Sequence, residues 1–240
     1  MKKVEETENI LTFTAEASET LVNSLRRYMN QIQVLAIDEI EISKNDSPLY
    51  DEAVAHRAAL VPLRSDKAIN EKSTGKLKLA VEGEKIVHSG DMKGDVEVVY
   101  KTIPITPLAE GQELEFVATL KAGTGSEHAK FSPGLMFYRN VSEITLDKDL
   151  YDEVKKTCPD NEIKEKGNKI IVFDNARKEI LDVCDGIAEK AKKKAEIESK
   201  DELVLTIESF GQITPREMLR KSSEALKKDL HLVQKEVDKA

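Results

Sequence analysis

The sequence predicts an α+β fold in which a sheet carries two amphipathic helices, one near each end of the chain, with a mainly β region between them. Three patterns carry that prediction. Leu21, Leu25, Met29 and Ile32 recur at steps of four, four and three, the spacing of one helix face. Leu114, Phe116, Ala118 and Leu120 alternate with polar or smaller residues, the spacing of one strand face. Leu219, Leu226, Leu230, Val233 and Val237 continue a helical seam to the carboxyl end.

The elements follow in order. Ile10, Leu11 and Phe13 form a short strand, and Ser18 is placed to cap a helix running to about Gln31, widened on its apolar side by Val22 and flanked by Arg26 and Arg27. Residues 34–43 read as an extended run buried on much of both faces. Asn45-Asp46-Ser47-Pro48 is a turn, because Asn, Asp and Ser side chains compete for backbone bonds and Pro fixes φ. Residues 50–60 are helical, stopped by Pro62.

Between 63 and 130 the pattern is mainly β. Strands are expected at Leu77 and Leu79, at Val96, Val98 and Tyr100, and along the alternation from Leu114 to Leu120. Gly123-Thr124-Gly125 and residues 128–134 read as loops, and 135–146 as a returning strand. Residues 151–200 differ in texture, with a short strand at Ile170, Ile171, Val172 and Phe173, then a charged helix over about 177–200 whose lysines around 190–194 alternate with acids as a solvated face. A strand at 203–207 precedes the final helix, where Thr214 caps, Pro215 takes the first helical position and Glu217 completes a capping box. The seam of that helix needs a surface to lie against, either the first helix or another chain.

Composition bounds the function. With 240 residues the chain can bury a core of its own, so neither a metal nor a disulfide is needed for size. A formal charge of −8 repels phosphate backbones, which argues against nucleic-acid binding as the main task. No apolar run is long enough to cross a bilayer and no apolar segment follows the first lysines, so a cytoplasmic location without membrane attachment is expected. Cys158 and Cys184 lie far apart in sequence and are read as reduced structural thiols, with one disulfide arithmetically open.

Catalytic constellations are not evident. The sequence has no Gly-rich phosphate loop and no His-Glu-x-x-His motif, and His56, His88, His128 and His231 fall on different elements. Asp38 stands in an apolar strand, where an acid needs a partner; tying the strand to a neighbouring helix or turn accounts for it. Asp51 and Glu52 open a helix, where the dipole favours them. Arg26 and Arg27 suit carboxylates, on this chain or on a partner.

Longer strings point further. Val22-Asn23-Ser24-Leu25-Arg26-Arg27, Ala36-Ile37-Asp38, the run from Asn45 to Glu52, and Ala55-His56-Arg57-Ala58-Ala59-Leu60-Val61-Pro62-Leu63 together resemble the amino-terminal half of the archaeal RNA polymerase D-subunit (Rpo3) family. That family is itself similar to the third subunit of eukaryotic polymerase II and to the amino-terminal domain of bacterial alpha. His128-Ala129-Lys130-Phe131-Ser132-Pro133 resembles the family's loop in the inserted domain, and Gly211-Gln212-Ile213-Thr214-Pro215 its carboxyl end.

The resemblance implies a discontinuous alpha-like dimerisation domain over 1–45 and 200–240, an inserted domain over 46–150, and a small ferredoxin-like accessory lobe over 151–199. It implies a non-catalytic subunit of a nucleotidyltransferase complex, pairing with subunit L to form a platform for the large catalytic subunits and the small subunits N and P. The partner surface would draw on Leu21, Asn23, Leu25, Arg26, Arg27, Met29, Leu219, Leu226, Leu230, Val233 and Val237, and platform docking on Asp51, Glu52, His56 and Arg57. Many relatives carry iron-sulfur clusters in the lobe; with two cysteines against the four ligands a cluster takes, none is expected here, nor any other cofactor. A homodimeric alpha-like scaffold is the alternative, and a small enzyme using acids near Asp38 and Asp51 a third reading.

Overall fold

A computed structural model describes residues 1–65, 69–70 and 72–239. In chain order the described elements are β1 (Lys2–Glu6), β2 (Ile10–Glu16), α1 (Glu19–Tyr28), β3 (Gln33–Asn45), α2 (Asp51–Ala59), β4 (Thr74–Glu82), β5 (Lys85–His88), β6 (Lys93–Gly94), β7 (Pro104–Leu108), β8 (Glu113–Thr124), β9 (Gly134–Asp147), α3 (Tyr151–Thr157), β10 (Ile163–Lys166), β11 (Lys169–Phe173), α4 (Leu181–Lys190), β12 (Glu196–Ser209) and α5 (Pro215–Val237). Contacts divide the chain into two units, one of residues 1–23 and 136–207, the other of residues 24–135 and from Glu208 onward.

The first unit is built on a sheet in the order β1-β2-β12-β9-β11-β10. Period-two placement of branched residues makes its inner face: Ile144 and Leu146 on β9 stand in register with Val172 and Ile170 on β11, and all four are buried. Helices α3 and α4 cover this end, adding Val154, Cys184, Ile187 and Ala188 to the same core. Arg139 on β9 and Asp174 form an ion pair whose carboxylate side is almost fully buried, and the guanidinium also reaches Glu179 at 3.0 Å.

The second unit contains the sheet β3-β8-β4-β6 and the pair β5-β7. Strand β8 is central: Leu114, Phe116, Ala118 and Leu120 all point inward and are fully buried. They meet Leu77 and Leu79 of β4, Ile37 of β3, and Val54 and Ala58 of α2 in one core. Along β3 the inward row shifts from Ile37 to Ile40 and Ile42, because the pairing with β8 steps over Asp38 between Ile37 and Glu39. A bulge of this kind turns one side chain out of the alternating series.

Several elements depart from the sequence reading. Val96, Val98 and Tyr100 form no strand; the segment holds an isolated bridge, Val98 to Leu63, made by Arg64 N–H donating to Glu97 O and Val99 N–H donating to Pro62 O, both at 2.9 Å. The charged helix expected over 177–200 is shorter, and Glu196 already begins β12, whose sheet pairing overrides helix propensity. Helix α3, strand β1 and the β5-β7 pair are present where polar sequence had masked them. Two of the lysines near 190 are paired: Lys190 reaches Glu153 at 3.1 Å and Lys193 reaches Asp147 and Asp149 at 2.9 and 2.7 Å.

Truncating the centre of the β8 row tests which contact holds the second unit. Phe116→Ala removes a ring from a fully buried site and is expected to cost about 3–5 kcal/mol in urea unfolding; a loss under about 1 kcal/mol would show that the core closes around the gap.

Candidate functional site

The candidate surface begins with the helix at each end. Ser18 Oγ accepts from Leu21 N–H at 3.3 Å, starting α1, and the helix tightens into a single turn over Met29–Gln31 before β3. Val22, Met29 and Ile32 are buried and Leu25 half-buried, so the inward stripe runs through them. Leu21, expected on that stripe, is exposed: with four-residue steps it drifts off the face that Val22 fills. Asn23 is half-buried, and Arg26 and Arg27 are exposed on the far side.

Helix α5 starts as its sequence foretells, with Thr214 Oγ1 accepting from Glu217 N–H at 3.3 Å and Pro215 in the first turn. The Glu217 carboxylate lies against Arg220 at 2.5 Å, so the pairing within the helix takes the group that a capping box would use. Its buried face is Pro215, Met218 and Ser222, with Leu219 and Leu226 half-buried beside them. The turn Met29–Gln31 packs on α5, and Tyr28 donates its hydroxyl to Asp229 at 2.9 Å, which raises the tyrosine pKa chiefly through that bond.

Beyond Leu226 the helix buries no further side chain, although Asp229 is still tied to Tyr28. Every residue from Lys227 to Lys239 is exposed, and Leu230, Val233 and Val237 show 59%, 60% and 67% of their surface. These three share one side of the helix, with spacings of three and four, and Leu232 stands exposed nearby. The seam read from the sequence is therefore two surfaces, an inner one closed within the unit and an outer one open.

Beside the first helix, Ser24, Arg26, Arg27, Tyr28, Asn30 and Gln31 line a polar cleft of about 490 Å³. The second candidate group lies on α2. Asp51, Glu52, His56 and Arg57 are all exposed, yet two of them are engaged locally: Asp51 accepts from Asn45 Nδ2 at 2.7 Å, and Arg57 donates to the carbonyl of Pro104 at 2.8 Å. The Asn45 side chain also accepts from Ser47 N–H at 3.1 Å, so the turn before α2 is held by its own polar residues, with Tyr50 exposed at its end.

Asp38 is positioned by the bulge in β3. It accepts from Lys130 Nζ at 2.9 Å, with Lys121 at 4.0 Å, and so ties the strand to the turn Ala129–Phe131. The Lys130 bond holds the Asp38 carboxyl below the usual aspartate range against a smaller opposing effect of burial. Asp51 lies on another element and is bound to Asn45, and Asp38 has a structural partner in Lys130. The tertiary contact that sequence reasoning missed is this lysine, although its string was noticed.

In the first unit, Cys158 and Cys184 are both free and buried, and both belong to one core cluster. Burial raises the pKa of both thiols, and pushes Cys184 up to about 12. Among the described residues no group of three or more His, Cys, Asp or Glu side chains converges on a point where a metal ion would sit. Among the same residues no helix is long and apolar enough to cross a membrane.

Comparison with known proteins defines the class. Residues 40–136 match the model of the RNA polymerase Rpb3/RpoA insert domain, which takes in most of the β3-β8-β4-β6 sheet and α2. The chain is 31% identical over 235 residues to the DNA-directed RNA polymerase subunit Rpo3 of Archaeoglobus fulgidus, covering 88% of this chain and 87% of that one. It is 39% identical over 160 residues to the subunit Rpo3 of Pyrococcus horikoshii, and 40% over 141 residues to that of Thermococcus kodakarensis. Those two matches span 62% and 54% of the relatives' lengths, and the same shares of this chain. The chain belongs to the archaeal DNA-directed RNA polymerase subunit Rpo3 family.

The Asp38 tie can be read by titration. Folding favours the charged carboxylate, so the stabilisation is complete above the ordinary carboxylate value and fades as pH falls through and below about 4. With a third of its side-chain surface in solvent, Asp38→Asn is expected to cost about 0.5–1 kcal/mol at neutral pH. The gap between variant and parent in urea melts should close in acid; a gap independent of pH would point to lost packing.

Proposed function

We propose that this chain is a non-catalytic assembly subunit of a DNA-directed RNA polymerase, the nucleotidyltransferase complex of transcription, and that it works in the cytoplasm. It pairs with subunit L, and the pair forms the platform on which the large catalytic subunits and the small subunits N and P gather. The observation that carries this reading is the open half of α5. A stable partner surface is expected to resemble a core cut in two, and Leu230, Val233 and Val237 present such a face on a helix whose first turns are already anchored. Residues 1–45 and 200–240 would form the dimerisation module, 46–150 the inserted domain and 151–199 the accessory lobe.

Within this reading Leu219, Leu226 and Met29 brace the helices from inside, while Leu21, Arg26 and Arg27 stand at the border where a partner's carboxylates suit the arginine forks. Asn23 and Leu25 are half-buried between the two roles. Asp51, Glu52 and His56 offer charged and polar docking points on α2, and Arg57 holds that helix to β7. With a charge of −8 the chain is suited to bind protein rather than nucleic acid.

The lobe is proposed to hold its fold without an iron-sulfur cluster. Two thiols fall short of the four such a cluster takes, and both are packed in the Ile144–Ala188 core. Chemical assay of anaerobically purified protein should find iron and sulfide far below one per chain; stoichiometric amounts would overturn this part.

Pairing is tested by the solution mass of the chain co-expressed with a candidate subunit L. A one-to-one complex is expected, and Val233→Asp, a change at an exposed position, should weaken it at least tenfold while the melting of the lone chain stays within a few degrees. A lone homodimer that ignores the candidate would favour an alpha-like symmetric scaffold in its place.

A further inference from the structure

Past its packed half, helix α5 keeps one side-chain bond to the rest of its unit among the described residues: the Tyr28 hydroxyl donates to the Asp229 carboxylate at 2.9 Å. The donor stands on firm ground. Tyr28 is the half-buried last residue of α1, and the turn that follows it, Met29–Gln31, packs on α5 with Met29 buried. The acceptor does not. Asp229 lies three residues beyond Leu226, the last half-buried position of α5, and is itself exposed. The other side-chain pair of this half among the described residues, Lys239 with Glu236 at 2.9 Å, sits at its very end.

The place of that bond on the helix matters. At 3.6 residues per turn, Val233, Leu226, Val237 and Leu230 stand about 40°, 60°, 80° and 100° round the axis from Asp229. Lys228 and Lys235 fall on the opposite side, about 260° and 240° round. The bond therefore grips the flank of the seam and leaves its apolar residues open. A helical stretch with no packing is marginal in water, and it frays from its free end. A tether to a charged acceptor, placed just past the last packed residue, moves the point from which fraying starts.

We propose that Tyr28 and Asp229 are positioning residues for the pairing of α5 with subunit L: their bond carries helical order past Leu226 and fixes the direction in which Leu230, Val233 and Val237 face. This inference rests on the pairing proposed above. Neither residue belongs to the apolar contact. They act by ordering the outer turns before the partner arrives, so that less of the binding free energy goes into ordering them afterwards.

The test uses the full chain as Tyr28→Phe, as Asp229→Ala and as the double variant, beside the parent. Cα chemical shifts and amide exchange of residues 230–237 are read in the lone chain, and affinity is measured by titration with purified subunit L. Tyr28→Phe keeps the ring and removes the donor. It should lower the helical signal of residues 230–237, leave that of residues 215–222 as in the parent, and weaken pairing about three- to tenfold, the effect of one net hydrogen bond. Asp229→Ala removes the same bond but adds a better helix former, so it should weaken pairing less. The double variant should bind no more weakly than Tyr28→Phe alone, because both changes delete a single interaction.

An unchanged helical signal at 230–237 in Tyr28→Phe overturns the proposal; any loss of affinity would then report a direct contact of Tyr28 with the partner. A reduced signal with unchanged affinity overturns it as well, since the order would be one that the partner does not draw on. Additive losses in the double variant would assign the two residues to separate contacts and have the same consequence. A parent chain that does not pair with subunit L defeats the reading of α5 on which the inference rests, whereas a parent that pairs, together with any of the three results above, defeats the positioning role alone.

Discussion

The pairing of β3 with β8, from Gln33 against Thr124 to Asn45 against Leu114, is the constraint on which the second unit depends. It brings residues far apart in sequence into a single ladder, so its cost in chain entropy must be met by the burial it allows. The inward row of β8 provides that burial. Leu114, Phe116 and Leu120 are fully enclosed, and fully burying one such large side chain contributes on the order of 1.5–3 kcal/mol. Once the ladder is in register, the bulge at Asp38, the turn at Asn45 and the start of α2 follow from it as local geometry.

That ladder also explains why polar details gather at its irregularities and its far end. Asp38 turns toward Lys130 because the bulge takes it out of the alternating series, and Ser43, at the second irregularity, donates to the carbonyl of Glu115 at 3.2 Å. Asp46 N–H donates to Glu113 O at 3.0 Å, and its carboxylate accepts from Glu113 N–H at 3.2 Å, closing the far end. An edge that would otherwise expose a flat run of backbone groups is bent and charged. The long edge strand β3 is thereby made a poor template for a stray chain.

What could be read from the sequence was what periodicity fixes. The β8 row, the β9 return, α1 with its serine cap and α5 with its threonine cap all rest on local patterns, and each is present. The step of three from Ile37 to Ile40 was itself a trace of the bulge, visible as a break in the alternation. Elements built from polar residues were not legible: β1 reads Lys-Lys-Val-Glu-Glu, and only its antiparallel partner β2 makes it a strand. The candidate surface divided in the same way. Spacing located the α5 seam, but whether Leu226 or Leu230 faces inward depends on where the unit's own core ends, which no window of sequence contains. The meeting of Cys158 and Cys184, on α3's end and α4, in one core is likewise a matter of helix packing.

Helix α5 is about 35 Å long at 1.5 Å per residue, and only its first half is packed, with the Tyr28–Asp229 bond reaching just beyond it. Its remaining turns have little beyond intrinsic propensity and a few side-chain pairs to hold them, and short helical stretches without packing are marginal in water. In the proposed pairing, some of the free energy of capture would be spent on ordering these turns. Residues on the solvent side, such as Lys228 and Lys235, would then affect how tightly the helix is held without meeting the partner. Affinity at this end of the chain is a property of the free helix ensemble as much as of the contact, and sequence drift on a face that touches nothing can tune it.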